Sequence, residues 1–141
     1  MKERDYVRIK NKAGWCCIGK ICNINEFREY KYCVDIDGDD FVFIDDEMIE
    51  MSDPNILKVL KEGDFVEIEY LREKNRRRIK RVFEVDIILN DDNKTSISFS
   101  NGHTSLDYIN NSWSRIDKRL NPKIISVFTR EQFDEGKFRV E

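Results

Sequence analysis

The chain is expected to fold in the mainly β class with a minor helical share. Small barrels built from β-hairpins would be joined by one short connecting helix and followed by a short C-terminal helical turn. Three observations predict this. Val, Ile and aromatic residues alternate with polar ones over most of the 141 residues, the period-2 mark of strands with one buried face. Turn signals separate these runs at short intervals. Only DPNILKVLKEG and TREQFDEG read as helical.

From Asp5, the run DYVRIKNKAGWCCIGKICNI gives a strand, a turn from Asn11 to Gly14 and a second strand interrupted by Gly19, which together make a hairpin. YKYCVDIDGDDFVFIDD repeats the pattern, with Tyr32, Val34 and Ile36 on one face, an Asp37-Gly38 turn and the apolar run Phe41 to Ile44. In DPNILKVLKEG, Asp53 can cap, Pro54 suits the first helical position, Ile56, Leu57 and Leu60 share a face, and Gly63 can end the helix. A long hairpin follows. Val66, Ile68 and Tyr70 alternate before its Lys74-Asn75 tip, and Ile79, Phe83, Val85, Ile87 and Leu89 alternate after it. NDDNK turns the chain, TSISFS is a strand with Ile97 and Phe99 inward, NGHTS turns again and PKIISVF is a further strand. In TREQFDEG, Thr129 and Gln132 have the spacing of a capping box.

RDYVRIK and GDFVEIEY share an acidic residue, an aromatic and alternating Val/Ile. This weak internal symmetry suggests two modules: residues 1–53, an acidic β module, and residues 54–141, a second β-rich module with an Arg-rich hairpin, with a shared core left open.

An apolar fraction of 40% suffices for a core, and no Gly/Ser-rich or low-complexity tract suggests disorder. The start, MKERD, leads into a strand pattern, and no apolar run approaches about 18 residues. A soluble, cytoplasmic protein without a membrane partner is expected. Cys16, Cys17, Cys22 and Cys33 lack Cys-x-x-Cys spacing, and adjacent strand residues point to opposite faces. They read as small buried thiols in a reducing compartment, not as zinc ligands. The net charge of −3 is unevenly spread: residues 1–53 hold 8 basic and 13 acidic side chains, residues 54–141 hold 17 and 15. Opposed patches permit electrostatic association with a partner.

DIDGDDFVFIDDEMIEMSD contains nine carboxylates and no Lys or Arg. Asp35, Asp37 and Asp39 resemble the start of an EF-hand loop, but Gly38 is fourth rather than sixth and Asp46 stands where a bidentate Glu belongs. We therefore expect no metal and no other cofactor. The stretch reads as a strand pair with an acidic rim of Asp39, Asp40, Asp45, Asp46, Glu47 and Glu50, either a partner surface or a solvated face. In LREKNRRRIKR, Arg72, Lys74, Arg76, Arg77, Arg78, Lys80 and Arg81 surround a single acid, Glu73. Such a tip suits phosphate or an acidic protein patch. His103, the one histidine, falls in the turn NGHTS without a nucleophile elbow, P-loop or dinucleotide motif, so no catalytic residue is assigned. Trp15, Trp113, Tyr30, Tyr32 and Tyr108 are candidates for core, base stacking or interface anchoring.

DYVRIKNKAGWCCIGKI, DEMIEMSDPNILKVLKEGDFVEIEY and PKIISVFTREQFDEGKFRVE together resemble small phage and prophage proteins of low-GC Gram-positive bacteria. Those proteins look like an SH3-like opening module with a terminal Ile-x-x-Thr-x-Glu-Gln-Phe signature, matched here by Thr129, Glu131, Gln132 and Phe133. The Arg-rich hairpin and NDDNKTSISFSNGHTSLDYINNSWSRI depart from the commoner pattern. The resemblance implies a non-enzymatic accessory protein in the bacterial host's cytoplasm. It would bind and inhibit a host defence complex, a protein or ribonucleoprotein, in the manner of an anti-CRISPR that blocks nucleic-acid engagement. The alternative is an SH3-like module that binds nucleic acid through the Arg-rich hairpin. An enzyme ranks third.

Overall fold

A computed structural model of the chain describes residues 1–36 and 41–135. Strands hold 52% of the described residues and helical turns 11%, in two antiparallel sheets of which one curls into a half-barrel. The expected fold class is the observed one. The chain divides into two compact units, residues 1–60 with 129–135 and residues 61–128. This division falls later than the expected boundary after residue 53, and the C-terminal helical turn belongs to the first unit.

The first unit contains β1 (Tyr6–Lys10), β2 (Cys16–Ile24), β3 (Tyr32–Asp35), β4 (Phe41–Ile44), a 3-10 turn (Asp46–Met48) and β5 (Ile49–Asp53), in the sheet order β4-β3-β2-β1-β5. Alternation buries Val7, Ile9, Cys17, Ile21, Tyr32, Val34 and Ile44 as its core. The β1–β2 turn needs Gly14, whose φ of 87° would strain a side chain. Gly19 serves packing: a Cβ there would lie 2.5 Å from Val34 Cγ1 and 2.7 Å from the Asp35 carbonyl oxygen. The Asp37-Gly38 turn lies outside the described residues.

Among the described residues, pairing of β2 with β3 begins at Lys20. α1 (Arg130–Asp134) packs on β2. Its cap Thr129 donates to the Cys16 carbonyl at 2.6 Å, and Gln132 Oε1 accepts from the Ile18 amide at 3.1 Å. The expected capping box is present in full. The Cys16 carbonyl and the Ile18 amide are thus satisfied by side chains of a distant part of the chain.

The connector after β5 is shorter than expected, a single 3-10 turn at Ile56–Lys58. Its cap is Asn55 and not Asp53: Asn55 Oδ1 accepts from the Leu57 amide, while Asp53, the last residue of β5, accepts from the Asn55 amide. Pro54 holds the residue before it out of the helical region, and the two Asx bonds compete with helical ones. Leu57, Val59 and Leu60 are the buried residues here. Gly63, with φ of 91°, lies in the following turn, where Asp64 bonds back to Lys61.

The second unit contains β6 (Phe65–Leu71), β7 (Arg78–Asp91), β8 (Lys94–Ser100), β9 (Ser105–Ile109), β10 (Ser112–Trp113), a 3-10 turn (Asp117–Leu120) and β11 (Lys123–Phe128), ordered β10-β9-β8-β7-β6-β11. Asp92-Asn93 and Asn110-Asn111 all have positive φ, as tight hairpins with the right-handed twist require. Val66, Ile68, Tyr70, Phe83, Val85, Ile97, Phe99 and Leu106 are buried. Trp113 packs against Phe99 and Tyr108, with ring centroids 5.7 and 5.5 Å away.

Ile87 and Leu89 correct the expected alternation, since they are 53% and 63% exposed. Pairing passes from Val85↔Phe99 directly to Ile87↔Ser98. Asp86 is therefore an extra residue, and a one-residue bulge sends every later side chain to the opposite face.

Both units use one connectivity: a meander, a 3-10 turn, and a last strand that returns to pair with the first. Each also has a pairing irregularity between its second and third strands and another between its first and last. The two similar sequence segments lie in and just before β1 and β6, the strands on which each unit closes.

Candidate partner and nucleic-acid interfaces

Of the acidic rim, Asp39 and Asp40 lie outside the described residues. Asp45 caps the 3-10 turn by accepting from the Met48 amide. Asp46 accepts from the Tyr32 hydroxyl at 2.8 Å and stands 3.0 Å from Lys31 Nζ. The Tyr32 hydrogen bond, followed by that of Lys31, holds its carboxyl below the ordinary range. Glu50 Oε1 lies 3.5 Å from Nε of Arg8, which is 6% exposed and also donates to the Val59 carbonyl. Of Asp45, Asp46, Glu47 and Glu50, Glu47 alone is exposed with no side-chain hydrogen bond or ion pair among the described residues. It borders an open groove of about 760 Å³ together with Lys10, Lys12, Tyr30, Met48 and Glu50. Three of these four carboxylates thus hold the first unit together.

Beside this rim is an aromatic surface that the sequence reading missed. β4 is an edge strand, and Phe41 and Phe43, partnering Asp35 and Cys33, are 54% and 53% exposed. Phe27 is fully exposed, and the Arg28 guanidinium lies 5.1 Å from the Phe43 ring centroid. Phe-Val-Phe-Ile is apolar on both faces, so it reads as a strand buried on both sides; the exposure of Phe41 and Phe43 shows that one face is bare. Among the aromatics singled out earlier, Tyr32 is core, Trp113 and Tyr108 pack together, and Trp15 Nε1 donates to Glu135 Oε1. Tyr30 is 46% exposed and borders the groove.

The basic hairpin separates into braces and free cations. Arg76 Nη1 donates to the Arg119 carbonyl at 3.2 Å. Arg78 Nη2 donates to the Glu69 and Asn121 carbonyls at 3.4 and 3.3 Å, and its Nε lies 3.3 Å from Glu69 Oε1. Both therefore serve carbonyls at the end of the 3-10 turn, which lack helical partners. Among the described residues, the side chains of Arg72, Lys74, Arg77, Lys80 and Arg81 have no hydrogen-bond or ion-pair partner.

Arg72, Lys74 and Arg81 line one cleft of about 530 Å³ within the second unit. Tyr70, Ile79 and Leu120 also line it, as do Glu73 and, from the β8–β9 turn, His103 and Thr104. His103 is exposed in its turn as expected, its amide and that of Thr104 held by Asn101 Oδ1 at 2.9 and 2.7 Å. What sequence alone did not reveal is its place beside the basic tip.

The cysteines are free thiols. Burial pushes the Cys17 thiol up to about 12. Cys22 is exposed, and desolvation and then the neighbouring Cys33 thiol push it up to about 11; its Sγ donates to the Cys33 carbonyl at 3.2 Å. No group of three or more metal-ligating side chains occurs among the described residues, and none of their helices is long and apolar enough to cross a membrane. Compared with known proteins, the chain matches no family model, no curated protein and no solved structure.

Proposed function

We propose that this is a non-enzymatic accessory protein of the phage and mobile-element kind, which acts in the cytoplasm of its bacterial host by docking on a defence complex and hindering its engagement with nucleic acid. The observation that carries the docking is the exposed aromatic edge of the first unit. Phe41 and Phe43 expose half their surface on an edge strand, with Phe27 fully exposed in the same unit. Exposed aromatic side chains supply the desolvated anchors on which protein interfaces depend, and an unpaired strand edge can add main-chain hydrogen bonds. Glu47, the exposed carboxylate of the rim, favours a basic partner surface such as a nucleic-acid channel. The meander with its returning last strand supports the SH3-like reading of this unit.

Affinity capture from a low-GC Gram-positive host lysate, with and without nuclease, tests the proposal. The native protein is expected to retain one stoichiometric complex in both arms. Phe41→Ser/Phe43→Ser, verified as folded by its thermal transition, is expected to lose it by at least about tenfold, as for anchor residues. Equal retention by the folded variant would overturn the docking surface. A second reading, direct nucleic-acid binding by the second unit, is favoured by three cations that share its cleft and have no ion-pair partner among the described residues.

A further inference from the structure

We infer that the cleft of the second unit is a nucleotide subsite for single-stranded nucleic acid, with strand phosphates on Arg72, Lys74 and Arg81 and a base against Tyr70, Ile79 and Leu120. This deepens the nucleic-acid reading and rests on it.

Strand pairing builds the site. Tyr70 pairs with Ile79 and Ile68 with Arg81, so all four occupy one face, the face that buries Val66 and Phe83. On this face the two strands differ: Ile68 and Tyr70 of β6 are buried, whereas their partners on β7, Arg81 and Ile79, are exposed and half-buried. An apolar floor therefore meets a cationic margin on two neighbouring strands. In an antiparallel meander, alternate turns fall at the same end, so the β8–β9 turn brings His103 and Thr104 to the hairpin tip. Arg76 and Arg78 tie strands β6 and β7 to the backbone around Leu120, which fixes a third wall.

The chemistry follows from this arrangement. Three cations with no ion-pair partner among the described residues line the cleft with one carboxylate, Glu73. Two are guanidiniums, whose planar donors match phosphate oxygens in pairs. The Thr104 hydroxyl and His103 ring add hydrogen-bonding capacity suited to a sugar or base edge. About 530 Å³ lies within the range of small-ligand sites. A duplex would offer phosphates but no bare base for the floor, whereas a single strand offers both. An acidic peptide would satisfy the margin and leave the floor unused.

Fluorescence anisotropy over a salt series tests the inference, using a labelled oligonucleotide of about 12 nucleotides as single strand and as duplex, with a nucleoside triphosphate and poly-glutamate as competitors. The single strand is expected to bind at least about tenfold more tightly than the duplex, with a slope of log K against log salt near −2, about −0.7 for each of three phosphates. Arg72→Gln/Lys74→Gln/Arg81→Gln should remove most of that slope. Leu120→Ala should weaken binding while preserving the slope, and Arg72→Lys/Arg81→Lys should retain part of the affinity that the Gln variant loses.

If Arg77→Gln/Lys80→Gln abolishes binding and the cleft variant does not, the nucleic-acid reading survives and the cleft assignment falls. If no oligonucleotide binds even at low salt, both fall. Equal affinity for duplex, or equal competition by poly-glutamate, overturns the single-strand assignment. Competition by triphosphate as strong as by the strand itself would make the cleft a free-nucleotide site and overturn it equally.

Discussion

Arg8 and Glu50 show how individual side chains change meaning between sequence and structure. Glu50 belongs by composition to an acidic surface, yet its Oε1 lies 3.5 Å from a guanidinium whose side chain is 8% exposed. Removing one member of such a pair leaves a buried charge uncompensated. Glu50→Ala is therefore expected to cost about 3 kcal/mol in urea unfolding, and Arg8→Met/Glu50→Met to recover most of it. A loss below about 0.5 kcal/mol, as at ordinary surface sites, would return Glu50 to the free rim. Cys17 sets an alkaline limit. Its thiol, ordinarily at 9.0, is raised to about 12 mainly by burial, so the fold holds the proton that the unfolded chain releases first. This contribution is fully present below about pH 9 and is lost as pH rises towards about 12. Cys17→Ala should flatten the decline of the urea midpoint above about pH 9; an unchanged decline would assign it to other groups.

Hairpins and turns were legible element by element because their causes are local. Asp92-Asn93 and the Asn101 loop carry their turn chemistry in adjacent residues, and Thr129 with Gln132 forms a capping box within four positions. The bulge at Asp86 was not legible, because an extra strand residue depends on the register of the neighbour, and Asp86 bears no local mark such as Gly. Ile87 and Leu89 test the register. Ile87→Thr/Leu89→Thr is expected to change stability by less than about 1 kcal/mol, as surface substitutions do, whereas Phe83→Ala should cost about 3–5 kcal/mol. If the Thr variant were as damaging as the Phe83 variant, these residues would face the core after all. β9 and β10 also escaped the sequence reading, and with them the end of the meander at which His103 meets Arg72 and Lys74.

Across the whole molecule, two units with the same connectivity differ in what their surfaces offer: an aromatic edge strand in the first, a basic cleft in the second. The chain leaves the first unit after residue 60, builds the second and returns with α1. Hydrogen exchange should reveal this return. Thr129→Ala/Gln132→Ala removes the side-chain bonds to Cys16 and Ile18, so protection should fall in residues 16–24 and remain unchanged in β6 to β8, although those strands are closer in sequence. Loss spread evenly over both units would contradict the division. The sequence by itself determined the β class, most of the hairpins and their turns, because alternation, left-handed turn residues and caps act over a few neighbouring positions. Only the tertiary structure decided which charges are braces and which are free, which face Ile87 and Leu89 occupy, and which unit receives the last helix. These depend on pairings between residues far apart in the chain, where a register shift of one residue or a carbonyl more than 40 positions away sets the outcome.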